Sequence, residues 1–285
     1  MSNYVTIGGA TTYIQNLLNK NTNSYQHTMD KLATGTKFSA IGDDPVGLSL
    51  SAKLSVELNS NDRANANVKL GKDMLSVAED GQESVISDLQ RIRDLCVQAA
   101  SGTTTVDDRN AILQEIFTRL DDINNIAESK AFNGIKLADG TTKTLSLQIG
   151  TNSSASIEVG TAFIDVHVSQ IGGDLRLIDP VTEEPLTAET WTDINTYKDK
   201  VDVAINQLTN SMTQIGGFIN RLDTASNILS TTKVNLTDQR SVIADADVAE
   251  TSAELIQYQI LQSASVSVLT QANQSTTAVL SLFQI

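Results

Sequence analysis

Between residues 47 and 99, apolar or small residues return every three or four positions, through Leu50, Leu54, Ala64, Val68, Leu75, Ala78, Val85, Leu89, Ile92 and Cys96. Such an alternation, held over many turns, is the pattern of a helix lying along another helix. At about 1.5 Å per residue it predicts a helix roughly 80 Å long. Asp44-Pro45 marks its start, because proline is preorganised for the first helical position. Ser101-Gly102 and three threonines end it, and Asp107 and Asp108 open a shorter helix carrying Ile112, Ile116, Leu120, Ile123 and Ala127. A second long seam runs from Tyr197 through Val201, Leu208, Ile215, Leu222 and Leu229 to Leu236 and is the natural partner of the first. The period changes between them. Phe132-Asn133-Gly134 is a turn signal, and residues 145–150, 155–159 and 163–168 alternate as strands do. Residues 178–186, with two of the three prolines, read as an exposed loop.

The two ends follow a different rule. Residues 255–285 contain no Asp, Glu, Lys or Arg, and Leu261, Val268, Leu269, Ala272, Thr276, Val279, Leu280 and Phe283 fall on one arc of a helix. Lys20 is the only certain charge in the first 29 residues, where Ile7, Ile14, Leu18, Tyr25, Met29 and Leu32 line one seam that ends near Thr34-Gly35. Two uncharged amphipathic helices at opposite ends of a chain suit pairing with each other and with copies of themselves.

Composition narrows the function. Of 285 residues 40% are hydrophobic but only 4% aromatic, which favours elongation over an aromatic-filled globule. A net charge of −14 leaves no basic stripe, so nucleic acid is excluded as a partner. Repeated glutamines interrupt the C-terminal stretch, and a bilayer span needs about 20 predominantly apolar residues, so no membrane helix is expected. The N-terminus shows no basic-then-apolar secretion signal. Catalytic chemistry is poorly supplied, and no enzyme, metal or cofactor is expected. His27 and His167 are about 140 residues apart without ligand-spaced neighbours. Cys96 sits in the apolar seam and reads as a small core residue. Asp245, Asp247 and Glu250 lack the glycine and loop length of a calcium hand and read as acids opening a helix. The glycine pairs at 8–9, 172–173 and 216–217 fit no phosphate loop.

Several segments resemble bacterial flagellin: LATGTKFSAIGDDPVGLSLS (32–51), LQRIRDLCVQAA (89–100), IAESKAFNGIKL (126–137), LQIG (147–150), NRL (220–222), ADADVAET (244–251), QILQ (259–262) and QANQ (271–274). They cover both terminal thirds in the family's order. The resemblance implies a mainly α fold, an elongated coiled-coil-like helical bundle with a small β-hairpin region and paired N- and C-terminal helices. It implies an inner filament domain of residues 1–44 plus 240–285, and a rod domain of 45–239. The rod's helices are expected near 46–100, 106–129 and 191–237, and its β region near 141–175. Only the hairpin region fits between Gly134 and Trp191, so this is a short form without large variable outer domains.

The function so implied is that of an extracellular filament subunit, polymerising helically for motility. It would be exported by the flagellar type III system and meet an export chaperone, the secretion apparatus, the filament cap and hook-associated proteins. The expected assembly contacts are Ile7, Ile14, Leu18, Tyr25, Leu261, Val268, Leu269, Leu280 and Phe283. The alternative is a hook–filament junction protein, which has similar terminal helices and can end in something like SLFQ (281–284). The family is also recognised by the animal Toll-like receptor 5, and Arg91, an exposed Leu95 and Glu115 match the recognition positions. Asp94 and Cys96 depart there from the commoner Glu and Ala. The competing reading is that Arg91 and Glu115 are rod-surface charges packing between protofilaments.

Overall fold

The structure is a computed structural model that describes residues 7–142, 144–152, 155–160, 163–177, 187 and 193–283, with side chains described at 9 and from 11 to 275 within those ranges. Its helices are α1 (Ile7–Thr34), α2 (Pro45–Ala99), α3 (Val106–Ser129), α4 (Ile194–Ala244) and α5 (Val248–Phe283). Two antiparallel hairpins lie between α3 and α4: β1 (Ala131–Phe132) with β2 (Ile135–Lys136), and β3 (Leu145–Gln148) with β4 (Ser156–Val159). The chain forms two compact units, Asn59–Lys233 and a discontinuous one of Met1–Leu58 with Val234–Ile285. These units change within α2 and α4.

In the unit of Asn59–Lys233 the heptad seam of α2 is buried at every position from Asn61 to Ala99, and that of α4 from Tyr197 to Ile215 and again at Leu222, Ala225 and Leu229. One core joins Leu89, Ile92, Cys96, Ile116, Ile123, Val201 and Leu208 from three helices. A second joins Val68, Leu75, Ile215 and Leu222 to Leu137, Ile157 and Val159 from the hairpin region. Each such aliphatic side chain contributes about 1.5–3 kcal/mol when fully buried. A capping box starts α3: Thr105 Oγ1 accepts from Asp108 N (3.2 Å) and Asp108 Oδ2 accepts from Thr105 N (3.1 Å). Asn133 (φ 50°) and Gly134 (φ 81°) are both left-handed, the backbone of a two-residue hairpin loop. This first hairpin precedes the expected β region.

Residues 163–168 are not a strand, contrary to their alternation. Phe163, Val166 and Val168 are buried. The backbone bonds there go to scattered partners: Val166 N to Ala138 O (2.9 Å), Val168 N to Asn124 Oδ1 (3.2 Å), and Leu175 N to Val168 O (2.7 Å). Burial at three of these six positions thus arises without a ladder. The segment closes on a 3₁₀ turn, Ile171–Gly173, where Gly172 has φ +64° and an added Cβ would lie 2.6 Å from Lys200 O. The buried Tyr197 hydroxyl donates to Leu175 O at 2.9 Å.

In the discontinuous unit, α1 and α5 run antiparallel, and the loops that follow α1 and α4 are tied together. Thr36 and Asp245 form an isolated antiparallel bridge. Lys37 N donates to Ala244 O (2.7 Å), Ala246 N to Gly35 O (2.9 Å) and Lys37 Nζ to Val242 O (2.9 Å), which satisfies carbonyls at the end of α4. Gly35 (φ +69°) is the left-handed cap expected after Thr34. Asp44 caps α2, accepting from Val46 N (3.1 Å) and Gly47 N (2.9 Å), with Pro45 as the first helical residue.

Candidate assembly interface

The seam between α1 and α5 is polar at its centre. Asn21 Nδ2 donates to Ser265 Oγ (3.3 Å), and both residues are buried. Gln262 Nε2 donates to Thr22 Oγ1 at 3.2 Å. Thr28 and Thr251 are buried as well. Small hydroxyl and amide residues let two helices approach closely while every buried polar atom can find a partner. Nothing along the sequence marks Asn21 or Ser265, because polar residues at core positions carry no hydrophobic signal.

Of the expected contacts, Ile14, Leu18, Tyr25 and Leu269 are half-buried. Leu261 and Val268 keep 40% and 53% of their surface exposed. The arc drawn through Leu261, Val268 and Leu269 therefore mixes two faces of α5. The inward set steps through Thr251, Leu255, Tyr258, Gln262, Ser265 and Leu269, all buried or half-buried. Periodicity could not separate the faces because apolar residues occur around the whole of α5. Met29 is also exposed, along with Tyr13 and Leu17 on α1 and Ile256, Ile260 and Val266 on α5. Ile7, Leu280 and Phe283 lie outside the residues whose side chains are described, as do Thr276 and Val279.

The groups with chemical potential are in structural use. Cys96 is buried, and burial pushes its thiol up to about 12. His27 Nε2 lies 2.9 Å from Asp43 Oδ1, and Asp43 Oδ2 accepts from Ser39 N (2.9 Å) and Ala40 N (3.1 Å). Burial pushes the Asp43 carboxyl up, but these bonds outweigh it and hold it below the ordinary value. His167 Nδ1 lies 2.6 Å from Asp165 Oδ1. Asp247 accepts from Ala249 N (2.8 Å) and Glu250 N (3.2 Å), so it caps α5 as its acidity suggested. Among the described residues no three His, Cys, Asp or Glu side chains come together as a metal site. None of the described helices is long and apolar enough to cross a membrane.

Arg91, Leu95 and Glu115 do come together. They line an open hollow of ≈ 610 Å³ between α2 and α3, beside Gln98, Thr104 and Asp108. Arg91 Nε donates to Glu115 Oε1 at 2.7 Å, and the guanidinium holds the Glu115 carboxyl below its ordinary value. Leu95 is not exposed, as the sequence suggested. It is 2% accessible, because α3 covers that side of α2 with Ile112 and Ile116.

Heptad-patterned helices, a small hairpin region and end helices with unpartnered apolar residues define the class: a structural subunit of a helical assembly. The profile described as "Bacterial flagellin N-terminal helical region" matches residues 9–143, and "Bacterial flagellin C-terminal helical region" matches 198–283. The chain is 32% identical over 267 residues to flagellin of Halalkalibacterium halodurans, covering 93% of each chain. It is 32% identical over 292 residues to flagellin of Bacillus subtilis, covering 94% of this chain and 96% of that one. The chain belongs to the bacterial flagellin family and is a structural subunit of the flagellar filament, exposed outside the cell. It is the short form, without a large variable domain. The same fold occurs in a structure described as a flagellar hook-associated protein from Vibrio parahaemolyticus, at a TM-score of 0.57 and 18% identity, covering 71% of this chain and 99% of that one.

Proposed function

We propose that the chain polymerises through its paired terminal helices, with α1 and α5 forming the inner domain of the filament and the remaining helices its rod. The observation that carries this reading is the group of apolar residues Ile256, Ile260, Leu261, Val266 and Val268. It is exposed on α5, which carries no charged side chain after Glu254. An uncharged apolar face costs little to desolvate beside identical neighbours, whereas like charges would repel at every subunit repeat. A heterologous contact that does not close gives an open helical polymer. On this reading Ile14, Leu18, Tyr25 and Leu269 hold the α1–α5 pair together, and Leu261 and Val268 meet the next copy. Ile7, Leu280 and Phe283 extend the same contact toward the chain ends.

The associated partners follow from the family: an export chaperone, the flagellar type III secretion apparatus, the filament cap and hook-associated proteins. Of Arg91, Leu95 and Glu115, the two charged residues are the proposed contact with Toll-like receptor 5, with the buried Leu95 behind them, and the Arg91–Glu115 pair would have to re-form its hydrogen bonds with the receptor. Titrating the receptor ectodomain with the parent and with Arg91→Ala tests this, and equal affinities would withdraw it. The polymer itself is tested by seeding purified chain with filament fragments and following growth by electron microscopy. Long helical filaments are expected. A chain that caps seeds without propagating would be a hook–filament junction protein.

A further inference from the structure

The α2 and α4 seams within Asn59–Lys233 are strict heptad repeats. From Asn61 to Ala99 the seam of α2 steps by three and four through buried residues, and that of α4 takes the same steps from Tyr197 to Leu229, with Phe218 half-buried. Strict repeats create an ambiguity, since sliding one helix by seven residues again lays seam on seam. Shape discriminates weakly where the seam is small, as at Ala64, Gly71 and Ala78.

We propose that a buried polar pair and three flanking ion pairs act together as a register lock that holds α4 in one of these alignments. Gln82 and Ser211 are the polar residues midway along their seams, 2% and 3% accessible, and Gln82 Nε2 donates to Ser211 Oγ at 3.0 Å. The ion pairs keep the same alignment: Asp62 with Lys233 (2.7 Å), Lys72 with Asp223, and Arg93 with Asp202 (2.6 Å). Ten residues up α2, from Asp62 to Lys72, are matched by ten down α4, from Lys233 to Asp223. The next 21 up, to Arg93, are matched by 21 down, to Asp202.

A one-heptad slip would bring Gln82 level with Ala204 or Phe218, Lys72 with Gly216 or Ser230, and Arg93 with Asn195 or Thr209. The buried bond and at least two of the three ion pairs are lost in either direction. Exposed ion pairs add little stability singly, but here they count as a difference between competing registers. A buried amide stripped of its partner is strongly disfavoured, so a single polar pair selects an alignment that apolar packing leaves open.

The test places spin labels on Asp80→Cys and Thr213→Cys in the full chain, with Cys96→Ala removing the native thiol. Seven residues of slip move the helices by about 10 Å. The parent is expected to give one narrow distance. The variant Gln82→Leu, Ser211→Ala, Lys72→Ala, Arg93→Ala is expected to gain a second, longer one. A helical variant that keeps the parent's single distance overturns the lock. If that variant loses its helix signal, the milder Ser211→Ala, Lys72→Ala, Arg93→Ala is read by the same criterion. Swapping the charges, by Lys72→Asp with Asp223→Lys and Arg93→Asp with Asp202→Arg, should preserve the single distance. A split distance there would equally overturn the proposal.

Discussion

The two helix pairings of this chain use similar periodicity to opposite ends. Along α2 and α4, within Asn59–Lys233, the seam is closed and, apart from Asn61 and the Gln82–Ser211 pair, built of apolar or small residues, with Leu75, Val85, Leu89, Ile92, Leu208, Ile215 and Leu222 wholly inaccessible. Between α1 and α5 the centre is Asn21 with Ser265, and large apolar residues such as Ile260 and Val268 remain outside. The first arrangement carries its own hydrophobic stabilisation. The second leaves part of that stabilisation to be gained from another chain. A polymer subunit needs both, since one region must fold alone and the other must retain apolar surface for its neighbours.

The largest effect separating the two is expected from Val268→Asp. It should abolish seeded filaments, because a charge would be buried without a partner at every repeat. It should move the stability of the free chain by no more than about 0.5 kcal/mol, as a surface change does. Filaments of normal length would remove Val268 from the interface, and a clearly destabilised monomer would place it inside the fold. Next comes Leu89→Ala, which should cost about 2–5 kcal/mol in urea unfolding because it opens a cavity in a closed core. Leu269→Ala, at a half-buried site, should cost well under half as much. Equal costs would erase the contrast between the pairings.

A smaller change is expected at the start of α3. Thr105→Ala removes one side of the capping box and should cost about 0.5–2 kcal/mol, with faster amide exchange at Asp108. Unaltered exchange there would show that the cap contributes nothing.

The mildest contrast is in acid. Hydrogen bonds from Thr105 lower the Asp108 carboxyl, Arg91 lowers Glu115, Arg176 lowers Asp174, and Thr196 lowers Asp193. Burial works against Asp139, but Thr141 and Lys136 bring it below its ordinary value. Burial raises Asp88, against the pull of Arg119, and that shift has the opposite sign. A carboxyl lowered in the fold adds stability that is complete above its unfolded value, near pH 4, and disappears as the pH falls through the folded value. Among the described residues these lowered carboxyls lie in Asn59–Lys233, and only Asp43 belongs to the other unit. Hydrogen exchange at pH 3 should therefore lose protection around 105–108, 139–141 and 193–196 before the α1–α5 seam does. Simultaneous loss would contradict this assignment.

Much of the fold was legible because the signals were local. Asp44-Pro45, Thr34-Gly35 and Asn133-Gly134 specify backbone conformations within a few residues, and the structure shows a cap, a left-handed stop and a hairpin there. The α2 and α4 seams were legible because charged faces flank them, so only one face can turn inward. Residues 163–168 misled because apolar residues spaced like those of a strand, here Phe163, Val166 and Val168, are also buried when the backbone bonds to Ala138, Asn124 and Leu175 instead of a ladder. Leu95 misled because its cover comes from α3, which the spacing along α2 does not report.

The sequence by itself determined the helices, their order and the absence of charge at the C-terminal end. Only the tertiary structure decided which face of α5 meets α1. With no charge between Leu255 and Ile285 to mark the solvent side, periodicity leaves several faces equally suitable. The choice falls to pairings across the chain, such as Asn21 with Ser265 and Thr22 with Gln262, more than 200 residues apart. That separation lies beyond any pattern read along one segment, because a hydrogen bond depends on where both partners are brought.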